Sequence, residues 1–508
     1  MRKTLSLISV ALLLTAWSAT AVIRTGAQQA VERIFAAEPL RSSLAGICAV
    51  RMNGDTLAAL DSRRKFVPAS NVKLLTTGLA LNILGADYRF ETKLAYTGEI
   101  VDGCLEGDLY IIGGGDPTTG SRSELAEPLS ALHASWLEML SDAGIKRIGG
   151  RVLGDPRFFR ETNSQNLGWT YDDLGTNYGT GPLGLNFFEN AQLFYVTPGP
   201  SAGAPPAVRP SYPDSPWMQF ANHAVTGPAR SANTLYYVDT KLAPLGEVAG
   251  SFPIDRKGYT LEAANLFGAF SNGFYFHTFL QSHGIAVKGG YGDVSPQARI
   301  RTDLSSGTPG PAAATAAELK ALGSTLSAPL SEIVRETNCN SNNFFAETLL
   351  RMVALRQGLP TDQEGCQRAS ESALSALGLR GDNACRQVDG SGLSRKNYVS
   401  PEFFVRFLRR MTALPVWESY FASLPVPGGK GTLEHRFRNA PQAFKDRIHM
   451  KSGSMNGVLC FSGYILSGDG DPDKTIVFSL LVNNCTAGTF ALAPALENII
   501  AALAAENE

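Results

Sequence analysis

The stretch from Ala69 to Leu84 constrains this chain most, because it sets a hydroxyl and an amine on the first turn of a helix. Its apolar residues Val72, Leu75, Leu79 and Ile83 recur at helical spacing, and Gly85 supplies a stop signal. Positions i and i+3 share a helical face, so the amine of Lys73 reaches the hydroxyl of Ser70. A serine hydroxyl is a weak nucleophile until a neighbouring base takes its proton. A lysine acts as that base only when neutral, a state favoured by desolvation or by a nearby cation. Serine and lysine at this spacing also occur on ordinary surface helices, so the pair alone defines no site.

Two later segments complement the pair. Ser341-Asn342-Asn343 puts a hydroxyl and an amide on a turn before a helix-like run, Asn343 to Leu355. Lys451-Ser452-Gly453-Ser454 puts a cation, two hydroxyls and a glycine just before the strand-like Val458 to Leu466. The Ser341 hydroxyl can relay a proton between Lys73 and a leaving amine. Asn343 can hydrogen-bond Lys73 or a substrate amide. Lys451 supplies a positive field that helps keep Lys73 neutral and attracts a terminal carboxylate, and Ser452 keeps a hydroxyl beside it. Gly453 lets substrate backbone approach the strand. The backbone N–H groups of Ser70 and Ser454 would form an oxyanion hole.

Serine-x-x-lysine, serine-x-asparagine and lysine-serine-glycine, in this order, resemble the site of penicillin-binding proteins and serine β-lactamases. Longer blocks are similar to the low-molecular-mass class C penicillin-binding proteins, the D-alanyl-D-alanine carboxypeptidase/endopeptidase family. They are Pro68 to Thr77, Leu84 to Phe90, Gly113 to Pro117, Trp169 to Leu174, Asn340 to Glu347, Asp389 to Ser394 and Gly431 to Leu433. The likeness runs from about Val31 to Asn484. Ser452 stands where the family often has threonine, and Asn342 where aspartate is common. The first change keeps the hydroxyl; the second falls on a side chain with no catalytic part in this reading.

The resemblance implies an α+β fold. A penicillin-recognising, transpeptidase-like domain with an antiparallel sheet between helices would be built from residues 28–92 and 315–508. Residues 93–314 would form an inserted, mostly-β second domain, with a third nested at about 199–270. It further implies a serine D-Ala-D-Ala carboxypeptidase or D,D-endopeptidase acting on peptidoglycan stem peptides and cross-links. Ser70, Lys73 and Ser341 would be catalytic; Asn343, Lys451, Ser452 and Ser454 would bind substrate. β-Lactam antibiotics would be covalent inhibitors, and no metal or other cofactor is implied. Two readings compete: a serine β-lactamase, and a catalytically weak peptidoglycan-binding protein.

Length and composition fit this frame. At about 150 residues per domain, 508 residues suggest two to four units. A net charge of -1 with no long basic run disfavours nucleic acid, and beyond the N-terminal segment no uninterrupted apolar stretch reaches the roughly 18 residues of a membrane helix, so any membrane association is at most peripheral. Arg2 and Lys3, the apolar Leu5 to Trp17, and small residues before Ala21 or Ala27 read as a secretory signal, hence a periplasmic protein. The seven cysteines permit pairs such as Cys366 with Cys385 or Cys460 with Cys485, and spacing selects none of them. Gly179 to Gly184 matches a dinucleotide fingerprint only in its letters, since Pro182 interrupts it. The triple glycine at 113–115 reads as turn geometry, Asp389 as structural, and His435 and His449 as packing or surface residues. Residues 198–230 read as a loop or boundary, and Ser305 to Ala314 as a second crossing.

Overall fold

The computed structural model describes residues 25–159, 165–240, 243–294, 318–380 and 383–507. Both ends of the chain meet in one antiparallel sheet of five strands, in the spatial order Thr56–Leu60, Leu44–Arg51, Ile476–Asn483, Val458–Ile465, Ile448–Met455. The two central strands from the C-terminal part are buried along their whole length. Successive side chains on a strand point to opposite faces, so such strands feed two cores. Leu459, Phe461 and Ile465 join Phe478 and Leu480 against the first helix, Gly26–Phe35, and the last, Thr489–Ala505. Cys460, Tyr464, Val477 and Leu481 point the other way, against the helices Val72–Leu84, Leu330–Cys339, Asn343–Arg356 and Pro401–Met411. The antiparallel sheet between helices is the α+β fold expected from the sequence.

Residues between these ends build further sheets. Glu91–Tyr96 and Lys320–Leu326 pair antiparallel where the chain leaves and returns. Leu109–Ile112 pairs in parallel with Val152–Asp155, which pairs in parallel with Tyr291–Asp293. Parallel neighbours need crossover connections. Here the helices Leu129–Asp142 and Gly268–Ser282 serve, and Trp136 and Phe276 pack edge to face between them, 5.1 Å centroid to centroid. A smaller sheet holds Ala207–Tyr212, Ala191–Thr197 and Tyr259–Ala264, over a core that includes Phe194, Tyr237, Val248 and Phe252.

Several local readings shift. The stretch 198–230 is not all loop: it holds the strands Ala207–Tyr212, Gln219–Asn222 and Val225–Gly227. Their brevity and their proline and glycine hide any alternation. The helix expected from Gly273 starts at Gly268, and the tail helix starts at Thr489 rather than Leu492. All seven cysteines are free thiols, so neither pairing considered is made. The signal segment up to residue 24 and the crossing at 305–314 lie outside the described residues.

Candidate active site

Ser70 does not sit in the α-helix itself. Ala69–Asn71 form a 3-10 turn, and the α-helix proper runs Val72–Leu84. Ala69 takes a left-handed φ of 47°, a strained geometry for a residue with a Cβ. That turn presents Ser70, and one turn on, the fully buried Lys73 reaches back to it. Lys73 Nζ lies 3.0 Å from Ser70 Oγ, 2.7 Å from Asn343 Oδ1 and 2.6 Å from the Ser391 carbonyl oxygen. The serine-lysine and serine-x-asparagine segments thus meet at one amine. A neutral amine has two hydrogens and a lone pair. The two hydrogens suit the two carbonyl oxygens, which leaves the lone pair to the Ser70 hydroxyl.

Burial brings that neutral state within reach near neutral pH. Burial lowers Lys73 to about 7, against Asp389 and Glu347, which raise it. Lys451, equally buried, is held well below the usual ammonium range, first by burial and then by Lys73. Its Nζ donates to the Ser452 carbonyl, 2.7 Å away. Beneath Lys73 lies a pair of buried acids. Asp389 accepts from the N–H groups of Gly392 (2.9 Å) and Ser394 (2.6 Å), from Asn397 Nδ2 (2.7 Å) and from Trp169 Nε1 (3.0 Å). Four donors suit an ionised carboxylate and oppose burial, which still raises Asp389 above the usual carboxylate range. Glu347 accepts from the Ser391 N–H at 2.8 Å, and burial, with the charge of Asp389, pushes it up to about 7.

Ser341 takes a left-handed φ of 57° just before the helix Asn343–Arg356. Asn342 caps that helix by accepting from the Phe345 N–H at 3.0 Å, and its Nδ2 donates to Glu189 Oε2 at 3.2 Å. An aspartate would cap equally well but could not donate to Glu189, so the asparagine is matched to its local partner. Gly453 has a reason within the chain itself. A Cβ there would lie 2.8 Å from the Pro68 carbonyl oxygen and 2.9 Å from Asn71 N, so the strand needs glycine to accept the turn carrying Ser70.

These residues open on a cleft of about 560 Å³. Ser70, Ser341, Asn343, Ser452 and Ser454 all line it, and the buried Lys73 and Lys451 lie behind them. Thr170, Asp172 and Tyr178 line one wall from the inserted region, with Arg395 and Asn456; Thr432 and Arg436 stand at the Ser452 end. The Ser452 and Thr432 hydroxyls are 3.1 Å apart. Sequence reading missed Glu347, Ser391, Thr432, Arg395, Arg436 and the Trp169–Tyr178 segment as parts of the site. The Asp389-Gly390-Ser391-Gly392 turn was the available signal, and it was read only as structure. His449 packs on Phe421, ring centroids 4.2 Å apart, and burial lowers it.

A half-buried serine facing a buried amine of depressed basicity, on a sheet packed between helices, defines a serine acyl-transfer enzyme of penicillin-recognising fold. The chain matches the D-Ala-D-Ala carboxypeptidase 3 (S13) family over residues 27–506, and it belongs to that family. It is 30% identical over 491 residues to a D-alanyl-D-alanine carboxypeptidase of an Actinomadura species, covering 92% of this chain and 83% of that protein. It is 25% identical over 424 residues to the D-alanyl-D-alanine carboxypeptidase DacB of Haemophilus influenzae, covering 83% and 81%. The crystal structure of penicillin binding protein 4 from the same organism superposes with a TM-score of 0.76 at 24% identity, over 93% of this chain and 99% of that one. The chain is therefore a serine peptidase of this family, as its motifs implied, and the β-lactamase alternative is not favoured.

Proposed function

We propose that the protein cleaves the D-alanyl-D-amino-acid bond of peptidoglycan stem peptides through a Ser70 acyl-enzyme. The observation that carries this is the Lys73 amine, fully buried and 3.0 Å from Ser70 Oγ. Ser70 Oγ attacks the carbonyl carbon as its proton passes to Lys73. The N–H groups of Ser70 and Ser454 hold the oxyanion. Ser341 relays that proton from Lys73 to the departing amine, and a water then releases the acyl group and restores the Ser70 hydroxyl. Asn343 holds Lys73, and Ser452, backed by Lys451, receives the terminal carboxylate. Release of a terminal D-alanine and opening of a cross-link share these steps and differ only in what departs.

β-Lactams acylate Ser70 in the same way; the Haemophilus influenzae relative has been crystallised with one. Action on the cell wall requires export, which the N-terminal segment supplies as a cleaved signal. Cleavage after Ala21 is the better choice. Thr25 caps the helix Gly26–Phe35, and Ala27 lies inside that helix with its N–H on Glu506 Oε1 at 2.8 Å, so a cut after Ala27 would strip the cap. The insertion is better bounded just before Glu91 and just after Leu326 than at residues 93 and 314, because Glu91–Tyr96 and Lys320–Leu326 share one five-stranded sheet with Leu109–Ile112, Val152–Asp155 and Tyr291–Asp293.

Labelled penicillin tests the assignment. The unmodified protein should take up one label, and Ser70→Ala should take up none. Labelling that persists in Ser70→Ala would refute the nucleophile, and no labelling of the unmodified protein would refute the function.

A further inference from the structure

The catalytic cleft does not end at Ser452. Thr432 and Arg436, which close it there, also line a second groove of about 870 Å³ against the last helix, Thr489–Ala505. Arg436 stands at the junction, its guanidinium 3.6 Å from Glu497 and 5.7 Å from the Phe461 ring centre. Past it the groove is lined by Phe437, Phe444 and Ala493, with Phe490, 90% exposed, at its lip and Asn498 on the exposed helix face.

We propose that this groove holds the peptide strand that departs when a cross-link is cut. The inference rests on the reading of Ser70 as nucleophile and Ser452 as the receiver of the terminal carboxylate. With the scissile carbonyl between Ser70 and Ser454, the acyl side lies toward Thr170, Arg395 and Asn456. The departing residue then lies at Ser452 and Thr432, and whatever is attached to it must continue past Arg436. A departing D-alanine carries only a methyl group and ends at Thr432. A departing diamino acid carries its carboxylate at the same place, then a short methylene chain, then the amides and carboxylates of its own stem peptide. The lining offers matching chemistry: the Thr432 hydroxyl and Arg436 guanidinium where the two cavities meet, and, in the groove, the apolar Phe437, Phe444 and Ala493 together with polar residues, Asn439 and Asn498 among them. Continuity with the cleft distinguishes this groove from an isolated apolar patch.

Two substitutions in the full chain test it. Asn498→Trp fills the groove from an exposed helix position, and Phe490→Asp sets a negative charge at the lip, facing the carboxylates of the departing strand. For each, kcat/KM is measured on a purified cross-linked muropeptide dimer and on a free pentapeptide ending in D-alanyl-D-alanine, alongside acylation by labelled penicillin. The expected result is that the dimer-to-pentapeptide ratio of kcat/KM falls by about tenfold or more in Asn498→Trp and by a smaller factor in Phe490→Asp, chiefly through KM. An unchanged ratio, whether both rates hold or fall together, overturns the groove's assignment. Absence of penicillin labelling in the unmodified protein would instead overturn the underlying function, so the two failures are distinguishable.

Discussion

Burial makes Lys73 a poor place to keep a proton, and the acids beneath it decide how poor. The amine is lowered to about 7 while Asp389 and Glu347 oppose the drop. A general base must be neutral to take the Ser70 proton, so acylation should rise with pH as Lys73 loses its proton near 7. Glu347 also lies at about 7, so the limb belongs to the cluster rather than to one residue. Glu347→Gln separates the contributions, because it keeps an acceptor for the Ser391 N–H and removes the charge. A carboxylate near an ammonium raises its pKa; removing it lowers Lys73. The acid limb of penicillin acylation should therefore move to lower pH, by about one unit. Stopped-flow acylation from roughly pH 5 to 9 checks this, and a limb that stays fixed or moves upward would count against the charge of Glu347 as its cause.

Two backbone segments hold the turn that carries Ser70, and both depend on glycine. Gly453, on the strand Ile448–Met455, faces the Pro68 carbonyl and Asn71. Gly392, with φ of 86°, lies against Ala69 from the other side, where a Cβ would come 1.9 Å from its carbonyl oxygen. Gly453→Ala has no room without moving the turn, and overpacking of this kind costs about 1–3 kcal/mol. A small displacement of a nucleophile costs more in rate than in stability, so acylation should slow by about tenfold or more. Denaturant unfolding together with the acylation rate decides it; a destabilised variant that acylates at the original rate would show that the turn had not moved. At this scale the sequence was partly readable. The helical run after Ser70 and the paired strands near the C-terminus follow from spacing, because periodicity reports the face an element buries. The 3-10 start and the left-handed Ala69 and Ser341 leave no periodic trace. Gly453 announced a close backbone approach, but not that the backbone was the enzyme's own, because that turn comes from a distant part of the chain.

Across the whole molecule, the inserted region is part of the site and not an appendage. Trp169 Nε1 donates to Asp389, the Tyr178 carbonyl accepts from Asn343 Nδ2 at 3.1 Å, and Asn166 Nδ2 donates to the Val388 carbonyl at 2.9 Å. The long separation of Ser70 from Ser341 made an insertion readable, yet nothing in it marked these three contacts, which exist only once distant segments pack. The same contacts divide the insertion into parts that should differ in consequence. Among the described residues of 198–258, none lines the cleft. Those residues leave at the end of Ala191–Thr197 and return at Tyr259–Ala264, antiparallel neighbours in which Tyr259 stands opposite Val196. Ends so placed can be joined by a short Asn-Gly turn. The excision uncovers Phe194, Val196 and Leu261 of the core of this small sheet and removes Trp217 from Phe270 and Phe274, so the three sheet residues should be changed to threonine in the same variant. Thermal stability should fall, since buried apolar area is lost, while penicillin acylation should stay within about threefold, the range expected when no transition-state contact is removed. By contrast, Trp169→Phe leaves the buried Asp389 short of one donor, a loss of about 1.5–3 kcal/mol for a hydrogen bond to a charged group, and should slow acylation through Lys73. If the excised variant keeps its native near-ultraviolet dichroism but loses acylation, the nested sheet supports the cleft in a way that none of these contacts explains.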